Sequence, residues 1–211
     1  MGIIVLGTEL FPSPQVAYGK GWFDSVNRQW FQRNENGIFL GDMSGATIAQ
    51  IAAHSADTYY KGLQLPSFGM QAQTVFEWRF DVTKAAAGIA TPVYQIRIGA
   101  AGTVADTSRL TLTGVLQSAA ADNGHVTIRV VCRSVGAAGV LRGLAEIRHN
   151  LATTGLASGA TSPAGYNLVG GTSVGFDNQA AAMSGLFIGL SVNPGAAGAW
   201  VVEQCVQKII F

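Results

Sequence analysis

The chain has 211 residues, 48% of them hydrophobic and only 12% charged, with 27 glycines, which is roughly half the usual charged fraction. That composition excludes most disordered proteins and provides for one large domain or two small ones. Thirteen basic and 12 acidic residues leave a formal net charge of +1; with no long run of either sign, neither nucleic acid nor an acidic tail is expected.

The opening Met1-Gly-Ile-Ile-Val-Leu-Gly7 contains a short apolar run, Ile3 to Leu6, that reads as a strand. It lacks a preceding basic region, so synthesis and assembly in a cytoplasm are expected. This run and Ala180 to Met183 fall far short of the ~20 residues that span a bilayer, so no membrane partner is expected. From Phe11 to Gln32 the aromatic residues Phe11, Tyr18, Trp22, Phe23, Trp30 and Phe31 crowd together with Gly19, Gly21 and two prolines. No helical or strand period runs through them, so the segment reads as an irregular extended arm. So much large apolar surface needs a cover, and these six aromatics are the candidate interface with a neighbouring subunit or another protein. Gly37 to Leu40 reads as a strand. Ile48, Ile51, Ala52 and Ala53, behind the cap candidate Ser44, predict one short helix.

Period-two alternation dominates the rest. In Val75 to Thr83, Phe76, Trp78, Phe80 and Val82 interleave with Glu77, Arg79, Asp81 and Thr83, placing an aromatic row on a core and a charged row in water. Tyr94, Ile96 and Ile98 continue the pattern, as do Leu110 and Leu112. His125 to Arg133 alternates likewise, followed by Leu141 to His149, Leu186 to Val192 and Trp200 to Phe211. About nine strands at this spacing indicate an all-β sandwich or barrel, with Trp78, Phe80, Ile128, Val130, Ile188, Leu190 and Val202 inside. Between strands recur Gly99-Ala-Ala-Gly102, Gly136-Ala-Ala-Gly139 and Gly195-Ala-Ala-Gly198, all read as hairpin tips, with Lys84 to Gly88 a fourth loop of the kind. Ala152 to Gly175, poor in large apolar residues, predicts a long exposed loop. Cys132 and Cys205 sit in apolar runs without CxxC spacing and read as reduced core thiols, with a disulfide or a metal site as the alternative.

Chemistry-bearing motifs are sparse. Neither GxxxxGK[ST] nor a GxGxxG turn between strand and helix occurs, so no nucleotide cofactor is expected. His54, His125 and His149 belong to no metal-binding grouping, although His125 and His149 could meet across a hairpin. Glu77 and Asp81 share a strand face but stand ~13 Å apart, too far for a retaining glycosidase pair without another strand. Glu146 and Glu203 are the remaining carboxylate candidates. No GxSxG elbow supports a serine triad. Trp22, Trp30, Tyr59 and Tyr60 could stack on a sugar, against the alternative of interface burial.

Several segments in order, Arg97-Ile-Gly-Ala-Ala-Gly-Thr-Val-Ala-Asp106, Leu110-Thr-Leu-Thr-Gly114, Arg133-Ser-Val-Gly-Ala-Ala-Gly139, His149-Asn-Leu-Ala-Thr-Thr-Gly155 and Phe176-Asp-Asn178, resemble in texture the structural proteins of tailed bacteriophage particles, of the fibre or decoration type. The resemblance covers roughly Leu65 to Phe211. It implies an antiparallel jelly-roll β-sandwich over residues 65–211; residues 1–64, which it does not cover, read from their aromatic content as an N-terminal arm or attachment region. The resemblance further implies a non-enzymatic virion subunit without cofactor or metal, commonly a homotrimer. Its partners would be itself and other virion proteins, such as the major capsid protein or tail components. A tail-fibre, receptor-binding role that engages host surface glycans is the alternative, with a lectin or glycosidase as a further one.

Overall fold

The computed structural model describes residues 21–24, 29–33, 39–44, 50–65, 69–86, 88–158, 165–195 and 199–210, the first three ranges as strand backbone only. In chain order these hold β1 (Gly21–Asp24), β2 (Gln29–Arg33), β3 (Phe39–Ser44), β4 (Ile51–His54), β5 (Thr58–Gln64), β6 (Val75–Lys84) and β7 (Val93–Gly99). There follow β8 (Thr107–Thr113), β9 (Asp122–Ser134), β10 (Val140–His149), β11 (Tyr166–Thr172), the helical turn α1 (Ala180–Met183), β12 (Phe187–Asn193) and β13 (Trp200–Ile210).

The strands form two sheets. The larger runs β1-β2-β3-β13-β6-β9-β10-β11, with β4 also on β13; the smaller runs β5-β12-β7-β8. Every pairing is antiparallel. The chain crosses between sheets at β4 to β5, β5 to β6, β6 to β7, β8 to β9, β11 to β12 and β12 to β13. The four strands β4, β13, β6 and β9 therefore face β5, β12, β7 and β8 in jelly-roll order. The β10–β11 hairpin is added after β9, and β1 to β3 extend the larger sheet on the other side.

Alternation places the core as expected. Trp78, Phe80, Ile128, Val130, Ile188, Leu190 and Val202 are each no more than 1% exposed, on facing surfaces of the two sheets. Cys132 and Cys205 are buried free thiols. Their apolar surroundings push them up to about 11 and about 12 respectively, because burial disfavours the thiolate.

Four expectations change. Of the helix expected behind Ser44, the described residues Ile51, Ala52 and Ala53 lie in strand instead, since Ser44 ends β3 and Ile51–His54 is β4 on β13. A single amphipathic turn cannot meet the cost of helix nucleation, whereas β13 offers a ready ladder. The exposed loop of 152–175 contains β11, which pairs with β10 over Arg142 to Arg148. The Gly99 and Gly136 tetrapeptides do lie in hairpins, joining β7 to β8 and β9 to β10. Gly195 instead begins a crossing between sheets, as does Lys84 to Gly88, because β12 and β13 belong to different sheets, as do β6 and β7. Finally, the irregular arm of Phe11 to Gln32 contains β1 and most of β2, Phe39 and Leu40 of the expected strand open β3, and β4 and β5, also before residue 65, pair with β13 and β12. The expected strand Ile3 to Leu6 lies outside the described residues.

Candidate functional site

The outer face of the larger sheet carries the charged row anticipated on β6. Glu77 is only 8% exposed, its carboxylate held by Arg79 Nε at 2.8 Å and Arg129 Nε at 3.2 Å. It is committed to two guanidinium groups and is no free acid. Asp81 accepts from His125 Nδ1 at 2.8 Å, and Arg148 Nε pairs with Glu146 at 2.5 Å on β10.

Near one end of this face an open groove of about 460 Å³ is lined by Asp81, Thr83, Asn123, Arg148, Asn150 and Glu203, among others. A β-bulge builds it. Val202 pairs with Val82 and Gln204 with Asp81, leaving Glu203 as the extra residue on β13. Two successive outward residues result, and Glu203 is brought beside Asp81 on the neighbouring strand. Glu203 accepts from Gln50 Nε2 at 2.8 Å. Sequence reading identified both carboxylates but not their juxtaposition, although Glu203-Gln204 visibly interrupts the alternation of β13. Chemically the groove offers acceptors on Asp81 and Glu203 and donors on Arg148, Asn123 and Asn150, suited to a hydroxyl-rich polar ligand.

A second cluster lies inside the same end of the sandwich. His149 Nδ1 donates to Asp122 Oδ2 at 2.8 Å, with both side chains enclosed. Asp122 also accepts from the backbone N–H of Leu156 at 3.0 Å and of Leu151 at 3.2 Å. Gly155, at φ +86°, passes so close that a Cβ would fall 2.2 Å from Asp122 Oδ2. Ser118 Oγ accepts from Gly155 N at 2.6 Å. Nearby Lys84 donates to the carbonyls of Ala85 and Ala120, both at 3.1 Å. Burial lowers the Lys84 ammonium from its ordinary value, partly offset by Asp122. Asp122 and His149 match two members of a serine triad, yet among the described residues no hydroxyl meets the enclosed His149 Nε2. The arrangement is a clamp on residues 150–158.

The three histidines stay apart. Gly124 and His125 pair with His149 and Arg148 respectively, so His125 and His149 occupy opposite faces. His54 Nε2 accepts from Tyr60 OH at 2.9 Å, and burial lowers its pKa below the ordinary value. Among the described residues no three His, Cys, Asp or Glu side chains gather as a metal site.

Of the sugar-stacking candidates, Tyr60 is buried in the core, edge-on to Phe80 at 5.0 Å. The Tyr59 phenol fills the space over Gly62 and Gly189, and its hydroxyl is enclosed. Neither ring is a free platform. Phe11 and Tyr18, of the candidate interface, lie outside the described residues. Trp22 and Phe23 fall in β1 and Trp30 and Phe31 in β2, where the register sets Trp22 against Phe31 and Phe23 against Trp30; their side chains are likewise outside the description. No protein-family model matches the chain, and no curated protein matches it significantly.

Proposed function

We propose that this chain is a non-enzymatic structural subunit of a tailed bacteriophage particle, of the capsid-decoration or short head-fibre type. The observation that carries the reading is the lopsided sandwich. The outermost strands of the smaller sheet, β5 and β8, pack against β13 and against β10 and β11 respectively. The β1–β2 ribbon thus lies beyond the smaller sheet, with two aromatic cross-strand pairs in its register. A ribbon of this kind needs an apolar partner, and an anchor in another virion protein supplies one. The jelly-roll order and the low charge agree with the resemblance that the sequence carries, and small residues favour close packing of copies as a homotrimer.

The test is removal of residues up to Phe31. The remaining sandwich is expected to stay folded and to lose its place on the particle; full occupancy by the truncated chain would overturn the anchor. Counting the protein on purified particles separates many copies over the capsid from a few at the tail, the latter favouring a receptor-binding fibre. Light scattering from a stable monomer would refute the trimer.

A second reading, carbohydrate binding, is favoured by the Asp81–Glu203 groove. Glycan binding that disappears in the double variant Asp81→Ala, Glu203→Ala would support it, and a blank glycan screen would dismiss it.

A further inference from the structure

Edge strands invite pairing with another chain, and folded proteins blunt them with bulges and charges. The two edges of the smaller sheet are blunted in this way. The register of β5 slips at Tyr60, next to Lys61. That of β8 slips at Arg109, whose guanidinium lies 4.9 Å over the Phe176 ring. Among the described residues the outer strand of the larger sheet, β11, has neither device. Its seven residues, Tyr-Asn-Leu-Val-Gly-Gly-Thr, include no charge and no proline, and its register with β10 is unbroken.

The outward face of this edge carries two exposed leucines, flanked by Arg142 and Glu146 on β10. Leu168 is 50% exposed and Leu144, on β10, 42% exposed. Between them stands Gly170, paired with Leu144. A Cβ at Gly170 would approach the ends of two flexible side chains, Leu144 Cδ2 at 3.0 Å and Arg142 Nη2 at 3.4 Å, and would stand at ordinary contact distance, 3.5 Å, from the Gly143 carbonyl. The fold of the single chain therefore does not demand glycine there. Gly171 is different, since its Cβ would meet Leu112 Cδ2 at 2.9 Å and the Thr111 carbonyl at 3.2 Å in the interior. A strand glycine without an internal reason marks the approach of another backbone.

We propose that β11 pairs antiparallel with β11 of a second copy of this chain, about a two-fold axis at Val169, so that the larger sheet runs on from one subunit into the next. In that register Leu168 stands opposite the partner's Gly170 and fills the space over it, beside the partner's Leu144. The second copy is the occupant because the edge complements itself. Leucine meets glycine on both sides of the axis, and no charge is brought against its own image. Backbone hydrogen bonds along the strand supply the rest. The contact is distinct from the β1–β2 ribbon and from any trimer, because it doubles whatever species carries it.

Sedimentation of the full chain over a rising concentration series is expected to show a doubling step, monomer to dimer or trimer to hexamer. Leu168→Lys should abolish that step while leaving the circular dichroism and melting temperature unchanged. Gly170→Lys, on the same edge, carries the same expectation should the first variant fold poorly. Val169→Cys, oxidised in air, should give a disulfide-linked dimer on a non-reducing gel. Leu116→Cys, 48% exposed at one end of the sandwich, should not. Absence of a doubling step up to high-micromolar concentration, its persistence in both lysine variants, or equal cross-linking of the two cysteine variants would overturn the proposal. A trimer that forms or fails to form leaves this outcome unaffected, so the two readings fail separately.

Discussion

Removing the Asp122 carboxylate would take this acceptor from four donors at once: His149 Nδ1 and the backbone N–H groups of Asn123, Leu151 and Leu156. Each buried donor left without a partner costs about 1–3 kcal/mol. Asp122→Ala should therefore destabilise the fold by at least about 3 kcal/mol in urea unfolding, and hydrogen exchange should rise first in residues 150–158. Asp122→Asn, which keeps an acceptor oxygen, should cost less. The thiols give a second test. Cys132 and Cys205 titrate above their ordinary value in the folded chain, so above pH 9 the unfolded chain loses protons that the folded chain retains. Stability is thus fully present below pH 9 and falls as the pH rises through the folded values. Cys205→Ala should flatten that alkaline decline between pH 9 and 10, before tyrosines contribute. In the native state both thiols should resist a thiol-specific reagent.

At the scale of the element, the β9–β10 hairpin depends on a side chain remote in sequence. Asn178 is fully buried. It donates through Nδ2 to the Ser134 carbonyl at 2.9 Å and accepts at Oδ1 from Gly136 N at 2.9 Å. Two hairpin groups would lose their partner in Asn178→Ala, which should lower stability by about 2–4 kcal/mol; Asn178→Asp, which sets a buried carboxylate oxygen against the Ser134 carbonyl, should cost at least as much. If both variants unfold at the wild-type urea midpoint, the tip is held by its own Gly136 to Gly139 bonding instead. The tetrapeptides also show why a turn motif does not define its connection. Gly99 and Gly136 open hairpins, whereas Gly195 opens a crossing. Glycine and alanine permit a reversal but do not choose the strand that receives the chain next.

Over the whole molecule, stability rests on the layer between the two sheets. Ile128 in the larger sheet and Leu190 in the smaller are both wholly buried. Truncating either to alanine should cost about 2–5 kcal/mol, measured by equilibrium denaturation. The two sheets belong to one folding unit, since the chain crosses between them six times. Both variants should therefore shift the transition seen by circular dichroism and that seen by tryptophan fluorescence together, and separation of the two transitions would contradict a single cooperative core.

Sequence alone determined the strands whose two faces differ in chemistry. In β6, Phe76, Trp78, Phe80 and Val82 alternate with polar residues, and the core follows directly because burial of one face and hydration of the other permit a single orientation. The same holds for β9, β10, β12 and most of β13. Tertiary structure alone decided the elements that borrow stability from a neighbour. Strand β11, with its two glycines and few large apolar residues, has little intrinsic preference and forms because β10 presents an open ladder and Leu112 occupies the space that a side chain at Gly171 would need. Strand β4 forms on β13 for a like reason. The groove was half legible. Asp81 lies on a readable strand, but its approach to Glu203 depends on a bulge, and a bulge is a relation between two strands some 120 residues apart in the chain. Side-chain period is a local property that any strand carries with it; pairing partner, register and bulge position are set by the other strand, and only the folded sheets bring the two together.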